Sequence, residues 1–242
     1  MEIVIDLAAV QSIVAHEYGE ARAQLRAHGA VAAYRASQQR HDERLAGAAD
    51  AGTLACSAGC SWCCHFTVDV RPIEVLAILQ FVERHFSVSD SAALRTRLET
   101  NRQVLHGLDE EQRMQHNVTC AFLQDGRCSI YPVRPQTCRN YHATDAEGCR
   151  QSYEEPTNLE IDPDFAPLVY QTGGAHVEAF NEAVAQQGHD VAAYEMNAAL
   201  TAALLNPQET SRRFDARLPM FPHLPSTDVP PEFLETEMLV VP

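Results

Sequence analysis

The stretch CSAGCSWCCHF, residues 56–66, places four cysteines within nine positions, with Cys63 and Cys64 adjacent. Four more follow at Cys120, Cys128, Cys138 and Cys149, so every thiol of this 242-residue chain falls in less than half its length. Thiols crowded in this way are disulfide-bonded, bound to metal, or buried as inert side chains. The first residues, MEIVIDLAAV, carry Glu2 and Asp6 where an export signal would carry positive charge, and no apolar run approaches the roughly 18 residues of a membrane span. We therefore expect a soluble cytoplasmic protein, and in a reducing compartment metal ligation is preferred over disulfides.

Composition narrows the function further. The chain contains no lysine, so its 18 basic residues are all arginine, and against 33 acidic residues they leave a net charge of -15. That charge repels phosphate backbones and anionic lipid surfaces, which argues against nucleic-acid and membrane partners. Without lysine there is no Schiff-base chemistry and no P-loop, and no G-x-G-x-x-G fingerprint occurs. A chain of this length with 45% hydrophobic residues buries about 70% of its unfolded surface, so the cysteines are not needed to rescue a small core.

The rest of the chain reads as mainly α, a helical single domain around a loop-rich, metal-closed cysteine cluster with a short β-hairpin. Leu7, Val10, Val14, Tyr18, Ala21 and Leu25 recur at helical spacing, which predicts one or two amphipathic helices broken near Gly29. Pro72 opens a second helical pattern with Ile73, Leu76, Ile78, Leu79 and Val82 on its apolar face. Ser89 to Ser91 are expected to cap a third, carrying Leu94, Leu98, Leu105 and Leu108. Residues 154–174 read as an ordered linker without regular structure. Two helices are expected after it, from about Ala175 to Gln187 and from about Val191 to Asn206, ended by Gly188 and Pro207. This organisation gives an N-terminal helical region (1–50), a cysteine-cluster metal-binding core (51–150), a linker with C-terminal helices (151–212) and an extended proline-rich tail packed on the body (213–242).

Gln124-Asp125-Gly126, flanked by short apolar runs, signals the hairpin. A three-residue loop with Gly126 in a bulge would pair Cys128 with Phe122 and set it on the same face as Cys120; a two-residue loop at Asp125-Gly126 would set the two thiols on opposite faces. We favour the first. In the 56–64 cluster, a helix would carry all four sulfurs on one face, while Gly59 and the serines suit an irregular loop equally well. Adjacent cysteines share one zinc only with strain, so Cys63 and Cys64 are expected to serve different roles or different metals. Four thiols from each segment allow two four-sulfur sites, or one site with spare reactive thiols, with zinc or iron, including an iron–sulfur cluster, as the metal. Arg134, Arg139 and Arg127 are candidates to offset the thiolate charge. His65 and His142 are expected to pack beside the site rather than ligate, and Trp62 to shield it.

CSAGCSWCC followed by CAFLQDGRCSIYPVRPQTCRNY resembles the YkgJ-type cysteine-cluster family of zinc- or iron-chelating proteins with a CxxCxxCC-type motif. The vicinal pair, the stretch Cys128 to Tyr131 and the stretch Arg134 to Arg139 occur together and in order over about residues 56–142. The resemblance implies metal binding by Cys56, Cys60, Cys63, Cys64, Cys120, Cys128 and Cys138, and Glu74 matches an acidic position associated with the family. Cys149 completes the set of eight from beyond that stretch. The expected function is chelation of zinc or iron in a structural or metal-handling role. Two alternatives stand beside it. One is an iron–sulfur-dependent enzyme or accessory to protein modification, since a similar cluster appears in flagellin lysine methylases. The other is a metal-stabilised helical scaffold with a protein partner on the N-terminal helices.

Overall fold

In the computed structural model, which describes residues 6–57 and 59–228, the N-terminal pattern folds as two helices, α1 (Leu7–His28) and α2 (Ala30–Ala46). Asp6 caps the first by accepting from the Ala9 N–H, and Gly29, at φ +79°, breaks the chain between them as its position predicted. Burial begins only in the second half of α1, at Glu17, Ala21 and Leu25, whereas Leu7 is 66% exposed. The first two turns therefore contribute little to the core.

Pro72 starts α3 (Pro72–His85), where the Glu74 carboxylate reaches back to accept from the Arg71 N–H. Helix α4 (Val88–Leu105) is capped by Ser87, slightly earlier than expected, and buries Leu94, Leu98 and Leu105; Leu108 lies beyond its end. A short helix α5 (Glu110–Met114) follows, capped by Asp109, whose side chain accepts from the Gln112 N–H. After the hairpin of β2 (Leu123–Gln124) and β3 (Arg127–Cys128) come α6 (Gln136–Asn140) and α7 (Ala146–Glu154). Helix α8 (Pro167–Ala185) begins eight residues before the expected Ala175, so the expected linker is partly helical. Pro167 at its first position supplies the missing start signal, and the Asp50 carboxylate accepts from the N–H groups of Leu168 and Val169. Helix α9 (Met196–Leu205) starts later than expected, because Tyr194 and Glu195 (β4) pair antiparallel with Asp69 and Val70 (β1). Pro207 ends that helix and also opens α10 (Pro207–Asp215).

The core joins these helices into one body. Helix α8 packs along α1 and α2, α9 along α4, and α2 against α3, around Tyr34, Leu94, Leu98, Phe122, Ile130, Phe180, Leu200 and Phe214. Full burial of such side chains contributes about 1.5–3 kcal/mol each. Residues 213–215 of the expected tail are helical; beyond them, Met220 and Phe221 are buried and Phe221 packs edge-on to Tyr194 at 5.1 Å. The chain continues over the body to residue 228, where Thr227 N–H donates to the Ala193 carbonyl at 2.9 Å; residues 229–242, including Phe233, lie outside the described residues. No helix among the described residues is long and apolar enough to cross a membrane.

Candidate metal centre

The first cysteine segment folds as successive tight turns. Cys60 N–H donates to the Ser57 carbonyl at 3.0 Å and Cys64 N–H to Ser61 at 2.9 Å, and Trp62–His65 forms a single 3₁₀ turn. Gly59 sits at φ +95°, which interrupts any α-helix here, so the four sulfurs are not arrayed on one helical face. This is the irregular-loop alternative.

Two backbone hydrogen bonds then join the segments: Cys120 N–H donates to the Cys64 carbonyl at 2.7 Å and Val118 N–H to the His65 carbonyl at 2.9 Å. The hairpin that carries Cys128 has the register we did not favour. Leu123 pairs with Cys128 and Gln124 with Arg127, around a two-residue turn with Asp125 at φ +49° and Gly126 at φ +72°. Positive φ at both turn residues is the primed geometry that matches strand twist, which a bulged three-residue loop would forgo. Cys120 and Cys128 are still neighbours. Leu123 N–H donates to the Cys120 carbonyl at 2.9 Å, so a turn, not strand, separates Cys120 from the hairpin and alternation of faces does not reach it.

Cys138 comes from α6, whose first N–H, that of Gln136, donates to Glu74 Oε1 at 2.7 Å. Glu74 is buried on α3; Oε2 accepts from Arg71 N–H at 2.6 Å, and Oε1 also accepts from the Tyr34 hydroxyl at 3.2 Å. One carboxylate thus fixes the cysteine-bearing helix to the helical body. Arg139, on the same short helix, donates to both oxygens of Asp42 and to the Pro132 carbonyl at 2.7 Å, bracing the loop after Cys128. Cys149 is buried on α7, which packs on the 3₁₀ turn. From that helix Tyr153 lies 5.3 Å from the Trp62 ring and 4.7 Å from the His65 ring. Tyr153 carries no sequence signal beyond its helical spacing from Cys149, and sequence reasoning missed it.

The electrostatics sort the thiols into two groups that share a member. Burial raises the Cys138 thiol well above its ordinary range, and negative charge at Cys120, Cys63 and Cys128 raises it further. Burial pushes Cys120 up to about 11, with Cys128 and Cys63 adding to it. A hydrogen bond with Cys64, then burial, raises Cys63. On the outer side, burial and then the charges of Cys56, Cys63 and Cys60 push Cys149 up to about 11. Tyr141 stands at the same place: burial, then Cys149 and Cys63, push its phenol up to about 12. Arg134 lowers both Cys63 and Cys128, and Arg139 lowers Cys128, so two of the three expected arginines act on the thiols. Arg127 is exposed on the hairpin and is not among the charges acting on them.

The histidines lie to the side. His65 faces the Thr119 hydroxyl at 3.2 Å as well as Tyr153, and His142 lies near Arg134, His41 and Asp42. All eight cysteines are free thiols. A soft, thiolate-rich donor set fits zinc and iron. Among the described residues no three His, Cys, Asp or Glu side chains are spaced to hold a metal ion.

Residues 55–161 match the family model CxxCxxCC, described as "Putative zinc- or iron-chelating domain". The match includes all eight cysteines, and Cys149 with them. The first interval in this chain, Cys56 to Cys60, is one residue longer than the family motif's name denotes. No curated protein and no solved structure matched the chain.

Proposed function

We propose that the chain, which carries a domain of this zinc- or iron-chelating family over residues 55–161, binds its metal through thiolates drawn from both cysteine segments. Cys63, Cys64, Cys120, Cys128 and Cys138 supply an inner group, and Cys56, Cys60 and Cys149 an outer one. The carrying observation is the pair of backbone hydrogen bonds, Cys120 N–H to the Cys64 carbonyl and Val118 N–H to the His65 carbonyl, that holds the second cysteine segment against the first. When bound, zinc or iron would offset the burial, and after it the mutual repulsion, that keep these thiols protonated, and would tie the loop to α6 and α7. Such a centre is structural or handles metal; an open position or a non-cysteine ligand would instead suit redox or modification chemistry.

Elemental analysis with a visible spectrum, on protein purified without oxygen, tests this. A colourless protein with about one or two zinc per chain supports a structural or zinc-handling centre. A brown protein with about four irons and sulfide supports an iron–sulfur cluster. Protein purified in this way without bound metal overturns the proposal.

A further inference from the structure

Helix α8 carries two consecutive glycines, Gly173 and Gly174, in its interior. Glycine is the least favourable helix-interior residue after proline, so a pair there calls for a local reason. At Gly174 packing supplies none: a Cβ added there would meet nothing within 4 Å. Gly173 is different. It is buried, and an added Cβ would overlap Asn140 Oδ1, come within 2.7 Å of Asn140 Cγ and lie 3.2 Å from His41 Nε2. Because Cγ is in the way as well as Oδ1, turning the amide plane alone would not clear the space. The whole Asn140 side chain, or the backbone that carries it, would have to move.

Asn140 is the last residue of α6, two positions after Cys138. The rest of that short helix is fixed from other directions. Gln136 N–H donates to Glu74 at 2.7 Å, Arg139 donates to both oxygens of Asp42 on α2 and to the Pro132 carbonyl, and Gln38 on α2 donates to the Arg134 carbonyl at 3.0 Å. These ties hold the end of α6 against α8. Asn140 Oδ1 is buried there without a hydrogen-bond partner, so no bond of its own draws it into the contact. What admits it is the missing side chain at 173. Gly173 and α2 both lie outside residues 55–161, so parts of the chain beyond the family's domain govern where Cys138 lies.

We propose that Gly173 is a positioning residue for the metal centre: by letting Asn140 lie against α8 it sets the position of α6, and with it the Cys138 sulfur. The inference rests on Cys138 being a metal ligand, as proposed above.

Cobalt(II) titration of the full-length protein, stripped of metal and followed by thiolate-to-cobalt charge-transfer absorption, tests it. The variants are Gly173→Ala, Gly174→Ala, Asn140→Ala, the double variant with alanine at both 173 and 140, and Cys138→Ser. Gly173→Ala should weaken cobalt binding about tenfold or more and lower the charge-transfer intensity per bound cobalt. Gly174→Ala brings the same gain in helix propensity without the overlap, and should bind as the unsubstituted protein does. In the double variant the nearest neighbour of the added Cβ becomes His41 Nε2, at 3.2 Å, and binding should return to the level of Asn140→Ala alone. A general loss of helix stability would not produce that recovery. If Gly173→Ala does not fold, the double variant decides, and should fold and bind as Asn140→Ala does. Unchanged affinity and spectrum in Gly173→Ala, an equal loss in Gly174→Ala, or no recovery in the double variant would overturn the inference. Absence of the charge-transfer band from the unsubstituted protein, or its persistence unaltered in Cys138→Ser, would overturn the ligation itself and the inference with it, which keeps the two failures apart.

Discussion

The backbone N–H of Cys120 donates to the carbonyl of Cys64 at 2.7 Å, so the two halves of the cysteine set are joined by main chain before any metal is considered. With the neighbouring bond from Val118 to His65, it makes a short ladder between a 3₁₀ turn and the strand of chain that leads into the hairpin. Few other backbone bonds hold that turn, so the centre is a region where ligation and local folding should be coupled.

Chelation should therefore lower stability measurably. A ligand present at about 1,000 times its Kd stabilises the native state by about 4 kcal/mol. For a chain of this size that corresponds to a fall of about 8–16 °C in Tm when the metal is removed. Hydrogen exchange at the Val118 and Cys120 amides should accelerate in the stripped protein, while amides in the middle of α4 and α9 keep their protection.

The hairpin turn offers a second check. Gly126 at φ +72° occupies a left-handed position where an added Cβ is strained, so Gly126→Ala should destabilise the protein by about 1–2 kcal/mol in urea unfolding. Space does not oppose the change, because nothing lies within 4 Å of the added atom; a cost near zero would contradict the observed turn.

A buried polar group far from the thiols sets a pH dependence. His176 on α8 is fully buried, with Ser37 Oγ at 2.9 Å from its Nε2 and Glu17 at 3.5 Å. Burial first, then the charges of His41, Arg44 and Arg40 on α2, lower its pKa from the ordinary 6.5 to about 2. The unfolded chain thus takes up a proton that the native state refuses, and this residue's contribution makes stability fall as pH drops below about 6.5, by up to about 1.4 kcal/mol per pH unit. Urea unfolding between pH 6.5 and 5 should show a shallower decline in His176→Gln than in the unsubstituted protein. Identical slopes would contradict the assignment.

Much of this architecture was legible because it rests on local signals. Gly29, Pro72 and the leucines of α4 mark elements through backbone preference and periodicity, and the thiol spacing marks the centre. What escaped depended on distant partners. Tyr194 and Glu195 read as part of a helix, yet they pair with Asp69 and Val70, a contact that no local pattern announces. The start of α8 at Pro167 is secured by Asp50, more than one hundred residues earlier. The hairpin register turned on whether Asp125 accepts positive φ, which local propensity tolerates without requiring. At the site, Gly173 and the ring of Tyr153 acquire meaning only from what the fold sets beside them.

The most direct test of thiolate ligation from both segments is X-ray absorption at the metal edge, on full-length protein and on Cys63→Ser and Cys138→Ser variants. We expect a shell of about four sulfurs near 2.3 Å in the unsubstituted protein, with loss of sulfur scattering or of metal in each variant. A shell of nitrogen and oxygen near 2.0–2.1 Å, or a sulfur shell that survives both substitutions unchanged, would contradict it.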